Sequence, residues 1–257
     1  MSALAKVPCT IVTGFLGAGK TTLVRHVLEN ADGRRLAVIV NEFGDVGIDG
    51  EILKSCGMES CPEDSIVELA NGCICCTVAD DFAPAITALL AREPKPDHIV
   101  VETSGLALPK PLIKAFDWPD LRTRLTVDGV VAVVDAAAVA EGRFADDPAR
   151  IAEQRAADPS LDHDNPLEEV YEDQLMSADL VVLNKIDLVD KGQLEALKAQ
   201  IAGAVPRAVK IAPAREGAIG ADVLLGIGAA AEDDLSARPS HHDAEGEHDH
   251  DDSTRSS

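Results

Sequence analysis

Positive charge is what this chain has least of. Lysine and arginine total 23 against 45 aspartates and glutamates, for a formal net charge of −22. Nucleic-acid recognition normally rests on a basic face, so this composition argues against a nucleic-acid partner. It disfavours an anionic membrane surface for the same reason. No apolar run approaches the roughly 20 residues that a bilayer span needs, and no secretory signal opens the chain. There are six cysteines in 257 residues. In a long chain of this kind they point to metal binding or catalysis rather than a disulfide framework. The cytoplasm is the compartment these absences imply. No internal repeat is present.

Apolar residues, by contrast, are plentiful at 46%, enough for one core. They fall in near-continuous runs: Leu36–Val40, Ile66–Leu69, His98–Val101, Val130–Val134, Leu180–Leu183 and Ala208–Ala212. Runs without alternation suit parallel strands covered on both faces. Helical patterns fall between several of them, as at Phe82–Leu90 and Leu194–Ile201. The expected fold is therefore α/β, a doubly wound and mostly parallel sheet of the P-loop NTPase type.

The first motif is Gly14-Phe15-Leu16-Gly17-Ala18-Gly19-Lys20-Thr21, a complete G-x-x-x-x-G-K-[ST] followed by Thr22. Pro8–Thr13 before it reads as a buried strand. Thr21–Glu29 after it reads as a helix with Leu23, Val24, Val27 and Leu28 on one face. Strand, glycine loop and helix together aim backbone N–H groups and a helix N-terminus at phosphate oxygens. Lys20 is expected to reach the β- and γ-phosphates and the Thr21 hydroxyl to ligate Mg²⁺. The second motif, Asn184-Lys185-Ile186-Asp187, ends another apolar run. It resembles the guanine-reading element of GTPases. A carboxylate at Asp187 can accept from the N1–H and exocyclic amine of guanine, and adenine offers no such donor pair. Lys185 can lay its aliphatic stem along the base. These residues predict GTP rather than ATP.

The third feature is a thiol cluster, Cys73, Cys75 and Cys76 in Gly-Cys-Ile-Cys-Cys, ahead of a helix expected to begin near Thr77 or Val78. Thiolates favour Zn²⁺, Co²⁺ or Cu⁺ over Mg²⁺. Zn²⁺ or Co²⁺ in a tetrahedral site needs a fourth ligand, for which Glu42, a water or a client protein's side chain are candidates. The alternatives are plain packing or a redox pair. Cys56 and Cys61 form a looser pair that permits metal or disulfide, and Cys9 reads as core.

Two segments stand apart. Residues 141–173 hold eleven acidic residues against three arginines and three prolines. They read as an exposed acidic insertion with a helix near Pro148–Ala157. From Glu232 the chain carries nine carboxylates, two arginines and the histidines His241, His242, His248 and His250. Low hydrophobicity and high charge predict disorder for residues 232–257, with weak metal binding by imidazole and carboxylate. The expected domain is then residues 1–231.

In order along the chain stand Gly14–Thr21, Asn41-Glu42-Phe43-Gly44-Asp45, Glu68-Leu69-Ala70-Asn71-Gly72-Cys73-Ile74-Cys75-Cys76, Glu102-Thr103-Ser104-Gly105 and Asn184–Asp187. This series resembles the CobW family of P-loop GTPases, relatives of the urease and hydrogenase nickel-insertion GTPases. Its wording is most similar to the member tied to cobalamin biosynthesis. The resemblance implies a slow GTPase that binds a transition metal, Co²⁺ by preference, and delivers it to a client, the cobalt-insertion machinery. It implies that Glu102 organises Mg²⁺ and the attacking water, and that Glu42, Asp45 and Asp49 lie in a switch loop. It also implies that the chain ends where members of the family usually continue into a smaller C-terminal domain. No arginine is obviously placed to assist hydrolysis, so a client or a dimer partner is expected to supply what is missing. The competing readings are a zinc or nickel chaperone GTPase, a non-enzymatic metal buffer and, least compatible with Asp187, an ATP-dependent kinase.

Overall fold

The computed structural model describes residues 6–41, 65–69, 82–145, 147–157, 166–205 and 209–241. Seven parallel strands form one sheet in the order β3-β2-β4-β1-β5-β6-β7. They are β1 (Val7–Thr13), β2 (Leu36–Asn41), β3 (Ile66–Leu69), β4 (His98–Glu102), β5 (Leu125–Asp135), β6 (Leu180–Asn184) and β7 (Lys210–Pro213). The main helices are α1 (Lys20–Glu29), α2 (Ala83–Leu90), α3 (Pro109–Ala115), α4 (Ala136–Ala140), α5 (Pro148–Ala157), α6 (Leu167–Ser177) and α7 (Lys191–Ala204). Every residue of β4 and of β6 is buried. That is why these strands read as unbroken apolar runs. The doubly wound parallel sheet expected from the sequence is the fold observed. Among the described residues no helix is long and apolar enough to cross a membrane.

Several boundaries differ, and each difference has a physical cause. The strand expected at Val130–Val134 begins five residues earlier, at Leu125. Thr126, Asp128 and Gly129 broke the apolar run in sequence. In the fold, Asp128 sits at a register shift between Cys9–Val127 and Thr10–Gly129. Its carboxylate accepts from the backbone N–H groups of Gly226, Ile227 and Gly228. The helix expected at Leu194–Ile201 runs from Lys191 to Ala204, because Asp190 and Gln193 close a reciprocal cap ahead of the apolar stripe. The last strand lies at Lys210–Pro213 rather than 208–212.

The acidic segment 141–173 is a correction. Its helix at Pro148–Ala157 stands where expected. A second helix, α6, was not foreseen, and the segment is not simply exposed. Ala145, Ile151, Val170 and Tyr171 are buried in a cluster that includes Phe15 and Leu106. Val170, Tyr171 and Leu175 give α6 an apolar stripe on which to dock, with Asp173, Gln174 and Ser177 buried beside it.

The tail also requires correction at its start. Glu232 is buried, accepting from the Thr126 hydroxyl at 2.7 Å and the Val127 amide at 2.8 Å. Arg238 is 1% exposed and donates to both oxygens of Asp179 and to the Ser177 carbonyl. His241 meets Glu172 through its ring and Asp173 through its backbone N–H. Residues 232–241 are therefore packed against the domain rather than disordered. Composition hid this, because each of those charges meets its specific partners far away in sequence.

Candidate functional site

Four neighbouring strands end on the same edge of the sheet. β1 runs into Gly14, β4 ends at Glu102, β5 at Asp135 and β6 at Asn184. The order β4-β1-β5-β6 makes these ends adjacent, and Asp135 and Asn184 are register partners. Ligands of open α/β sheets bind at this edge, beyond the carboxyl ends of the strands.

The glycine loop connects β1 to α1. Ala18 N–H donates back to the Phe15 carbonyl at 3.2 Å, which curls the loop over the helix start. Gly19 is the N-cap, with φ of +97° and no side-chain cap, and the first turn holds no acidic residue. A helix N-terminus without a side-chain cap, under a curled loop, presents N–H groups and a positive dipole end, an environment suited to an anion. Lys20 is buried and reaches back across the loop to the Phe15 carbonyl at 3.3 Å. The Thr21 hydroxyl donates to Glu102 Oε1 at 2.6 Å. A hydroxyl and a carboxylate side by side are hard oxygen donors, the set that Mg²⁺ prefers. Gly14, Gly17, Ala18, Gly19, Lys20, Thr21, Thr22 and Glu102 are thus brought to one place.

The Asn184-Lys185-Ile186-Asp187 element is brought to the same place by Asn184. Its side-chain Nδ2 donates to the Ala18 carbonyl at 2.9 Å, and its Oδ1 accepts from Gly217 N–H at 3.0 Å. A Cβ on Gly19 would lie 2.3 Å from Asn184 Nδ2, and one on Gly217 would lie 2.7 Å from the Leu23 backbone nitrogen. Both positions have positive φ, so glycine is required twice over. Lys185 adopts the left-handed conformation and reaches Asp135 Oδ2 at 2.5 Å. Asp135 also caps α4, accepting from the Ala137 and Ala138 amides. Asp187 lies 3.9 Å from Arg215. A cleft of about 760 Å³ opens between Gly17 and Gly19, Lys185 and Asp187, Arg215, and the outer side of α1.

Some of these residues were missed in the sequence. Asp135 had a signal, an acidic residue ending an apolar run just before an alanine-rich helix start. Arg215 and Gly217 had none, because the loop after β7 is tied to Leu183, Asn184, Ile186 and Asp187 only by contacts formed in the folded chain. The thiols Cys73, Cys75 and Cys76, and also Glu42, Asp45, Asp49, Cys56, Cys61, His242, His248 and His250, lie outside the described residues. Among the described residues there is no group of three or more His, Cys, Asp or Glu able to hold a metal ion. Cys9 is a free, buried thiol whose pKa burial pushes up, consistent with a core residue.

The sequence profile described as "CobW/HypB/UreG, nucleotide-binding domain" matches residues 8–211. The chain is 57% identical over 250 residues to a protein of Sinorhizobium named "Zinc chaperone CobW", covering 96% of this chain and 71% of that one. It is 57% identical over 248 residues to a Pseudomonas aeruginosa protein of the same name, covering 95% and 66%. Among solved structures, the Zn(II)-bound YjiA GTPase of E. coli superposes with a TM-score of 0.55 at 25% identity, covering 88% of this chain and 63% of that one. The chain thus spans about two thirds of the length of these relatives. With a profile match along most of its length and two such relatives, this chain belongs to the CobW/HypB/UreG family of metal-handling GTPases.

Proposed function

We propose that the chain binds and slowly hydrolyses GTP, and uses that cycle to hold and release a transition metal for a client protein. The observation that carries the nucleotide half is Asn184, which ties the loop around Lys20 to the segment bearing Lys185 and Asp187, so that one cleft serves phosphates and base together. In this reading the N–H groups of Gly17–Thr22 and the Lys20 ammonium hold the phosphates. Asp187 accepts from the guanine edge, and Lys185 lies along the base with its ammonium fixed by Asp135. The residues fit Mg²⁺ through Thr21, with Glu102 alongside. The ion neutralises phosphate charge when bound.

The metal half rests on Cys73, Cys75 and Cys76, with Glu42 as a possible further ligand. Soft sulfur donors select Zn²⁺ or Co²⁺ over Mg²⁺ but do not choose between those two. Two relatives carry zinc in their names, so Zn²⁺ is the first cargo to test. Co²⁺ delivered for cobalamin biosynthesis is the second. The client, a dimeric state and a cytoplasmic location belong to the same proposal.

The test is titration of Zn²⁺ and of Co²⁺ into the chain with GTP, GDP or no nucleotide. GTP is expected to tighten one of the two metals, and that metal to tighten GTP by the same factor, as linkage demands. Equal metal affinity in all three states would end the gating idea. Lys20→Ala is expected to abolish the difference between states, and serine at all three thiol positions to abolish tight metal binding while GTP still binds.

A further inference from the structure

The helix α6 belongs to the acidic segment and carries no phosphate-loop residue. It nevertheless touches both loops of the candidate site. Tyr171 meets Phe15 of the glycine loop with ring centroids 6.3 Å apart, and Phe144 closes the trio at 5.9 Å from Phe15 and 5.1 Å from Tyr171. One turn on, Gln174 is 2% exposed. Its Nε2 lies 3.2 Å from the Gly105 carbonyl and 3.3 Å from the Ala107 carbonyl. Both partners are acceptors, so it is the side-chain nitrogen and not the oxygen that faces them. Gly105 and Ala107 lie in the segment 103–108 that links Glu102 to α3. The segment is also held by a turn bond from Ala107 N–H to the Ser104 carbonyl, by Thr103 N–H to the Val12 carbonyl, by the Thr103 hydroxyl on the Ser104 carbonyl, and by the buried Leu106.

We propose that Gln174 is a positioning residue for GTP hydrolysis. Through Gly105 and Ala107 it holds the segment that follows Glu102, and so fixes the Glu102 carboxylate against Thr21 and the glycine loop. The inference rests on the GTP reading above. Gln174 itself touches neither the cleft nor a reacting group. Its effect is therefore on turnover and not on affinity for the diphosphate, whose contacts come from the other loops.

The experiment uses the full chain and two substitutions. Gln174→Leu removes both donors at similar volume. Gln174→Glu keeps the shape but aims a carboxylate at two carbonyls, and protonation restores one donor. Gln174→Leu is expected to lower kcat about tenfold or more, as befits two lost hydrogen bonds in a buried site, with KM and GDP affinity within about twofold of wild type. Gln174→Glu is expected to be the less impaired of the two near neutral pH, since burial favours the protonated acid and its one donor, and to lose turnover relative to wild type as rising pH forms the carboxylate. Gln174→Leu has nothing to titrate and is expected to show no such pH dependence. Amide hydrogen exchange across residues 103–108 in the nucleotide-free chain is expected to quicken in both variants. Wild-type kcat in both variants overturns the proposal. So does a loss of GDP affinity and unfolding midpoint in step with kcat, which would make the role merely structural. A wild-type chain that turns over no GTP sinks the underlying reading and the hydrolysis claim with it. The exchange experiment tells the two failures apart, because faster exchange at 103–108 without turnover upholds the hold on the segment, and unchanged exchange breaks that as well.

Discussion

Asp128 and Asp135 are buried on the same strand, seven positions apart, and they live differently. Asp128, near the start of β5, gives its two oxygens to three backbone amides of residues 226–228. Asp135, at the far end, takes two amides of α4 and the ammonium of Lys185. The first carboxylate is consumed by the fold. The second hands its charge on to a side chain that lines the cleft. The same chemistry does structural work at one edge of the sheet and candidate site work at the other, and the partners decide which.

The comparison breaks most visibly at Asp128. Asp128→Ala removes a buried carboxylate and the acceptor of three amides in a loop that is exposed to half-buried, so water takes up part of the loss, at roughly 0.5–1.5 kcal/mol per bond. A loss of about 2–4 kcal/mol in denaturant unfolding is expected, with guanine-nucleotide affinity of the folded fraction unchanged. A stability loss under about 1 kcal/mol would show that this carboxylate is not holding the loop.

His98 sharpens the contrast at the same edge. It is buried, shares a 2.8 Å hydrogen bond with Thr10, and has its pKa lowered from 6.5 to about 4 by burial and by Arg34, against the opposing pull of Asp128. The unfolded chain therefore takes up a proton near pH 6.5 that the folded chain refuses until about pH 4. Stability contributed by the neutral ring is fully present above pH 6.5 and falls as pH drops through that window, by up to about 3 kcal/mol. His98→Gln is expected to flatten this part of the stability profile, measured as the difference from wild type. Parallel profiles would remove His98 from the account.

Asp135→Ala is expected to act on binding more than on stability. Losing an N-cap costs roughly 1 kcal/mol. Freeing the Lys185 ammonium is expected to weaken GTP and GDP alike by about tenfold, or about 1.4 kcal/mol, by fluorescence titration. If affinity holds, the two aspartates are alike after all. The smallest effect is expected at Arg215. Its side chain is 67% exposed and 3.9 Å from Asp187, so Arg215→Ala is expected to shift affinity by less than about threefold.

Much of this was legible along the chain. The glycine loop and Asn184–Asp187 could be read directly, since each is a contiguous run with a recognisable spacing. The buried strands could be read wherever both faces were apolar, as at His98–Val101 and Leu180–Leu183. Reading failed where a polar residue is satisfied from a distance. Thr126 and Asp128 concealed the first half of β5 because their partners lie about a hundred residues away, at Glu232 and Gly226–Gly228. Charge density concealed the packed face of α6 and the docking of Arg238 for the same reason.

The linear sequence alone determined the kind of sheet and the groups on offer: a glycine loop with a lysine and two threonines, a carboxylate at Asp187 and a cluster of three thiols. Periodicity and motif spacing are local properties, and they survive without coordinates. Only the tertiary structure decided that Asn184 ties the loop at Ala18 to Gly217, that Asp135 grips Lys185, and that Gln174 reaches Gly105 from a helix in the acidic segment. Those pairings join residues 33 to 166 positions apart. Which buried polar group meets which is settled by packing geometry, and no run of neighbouring residues records it.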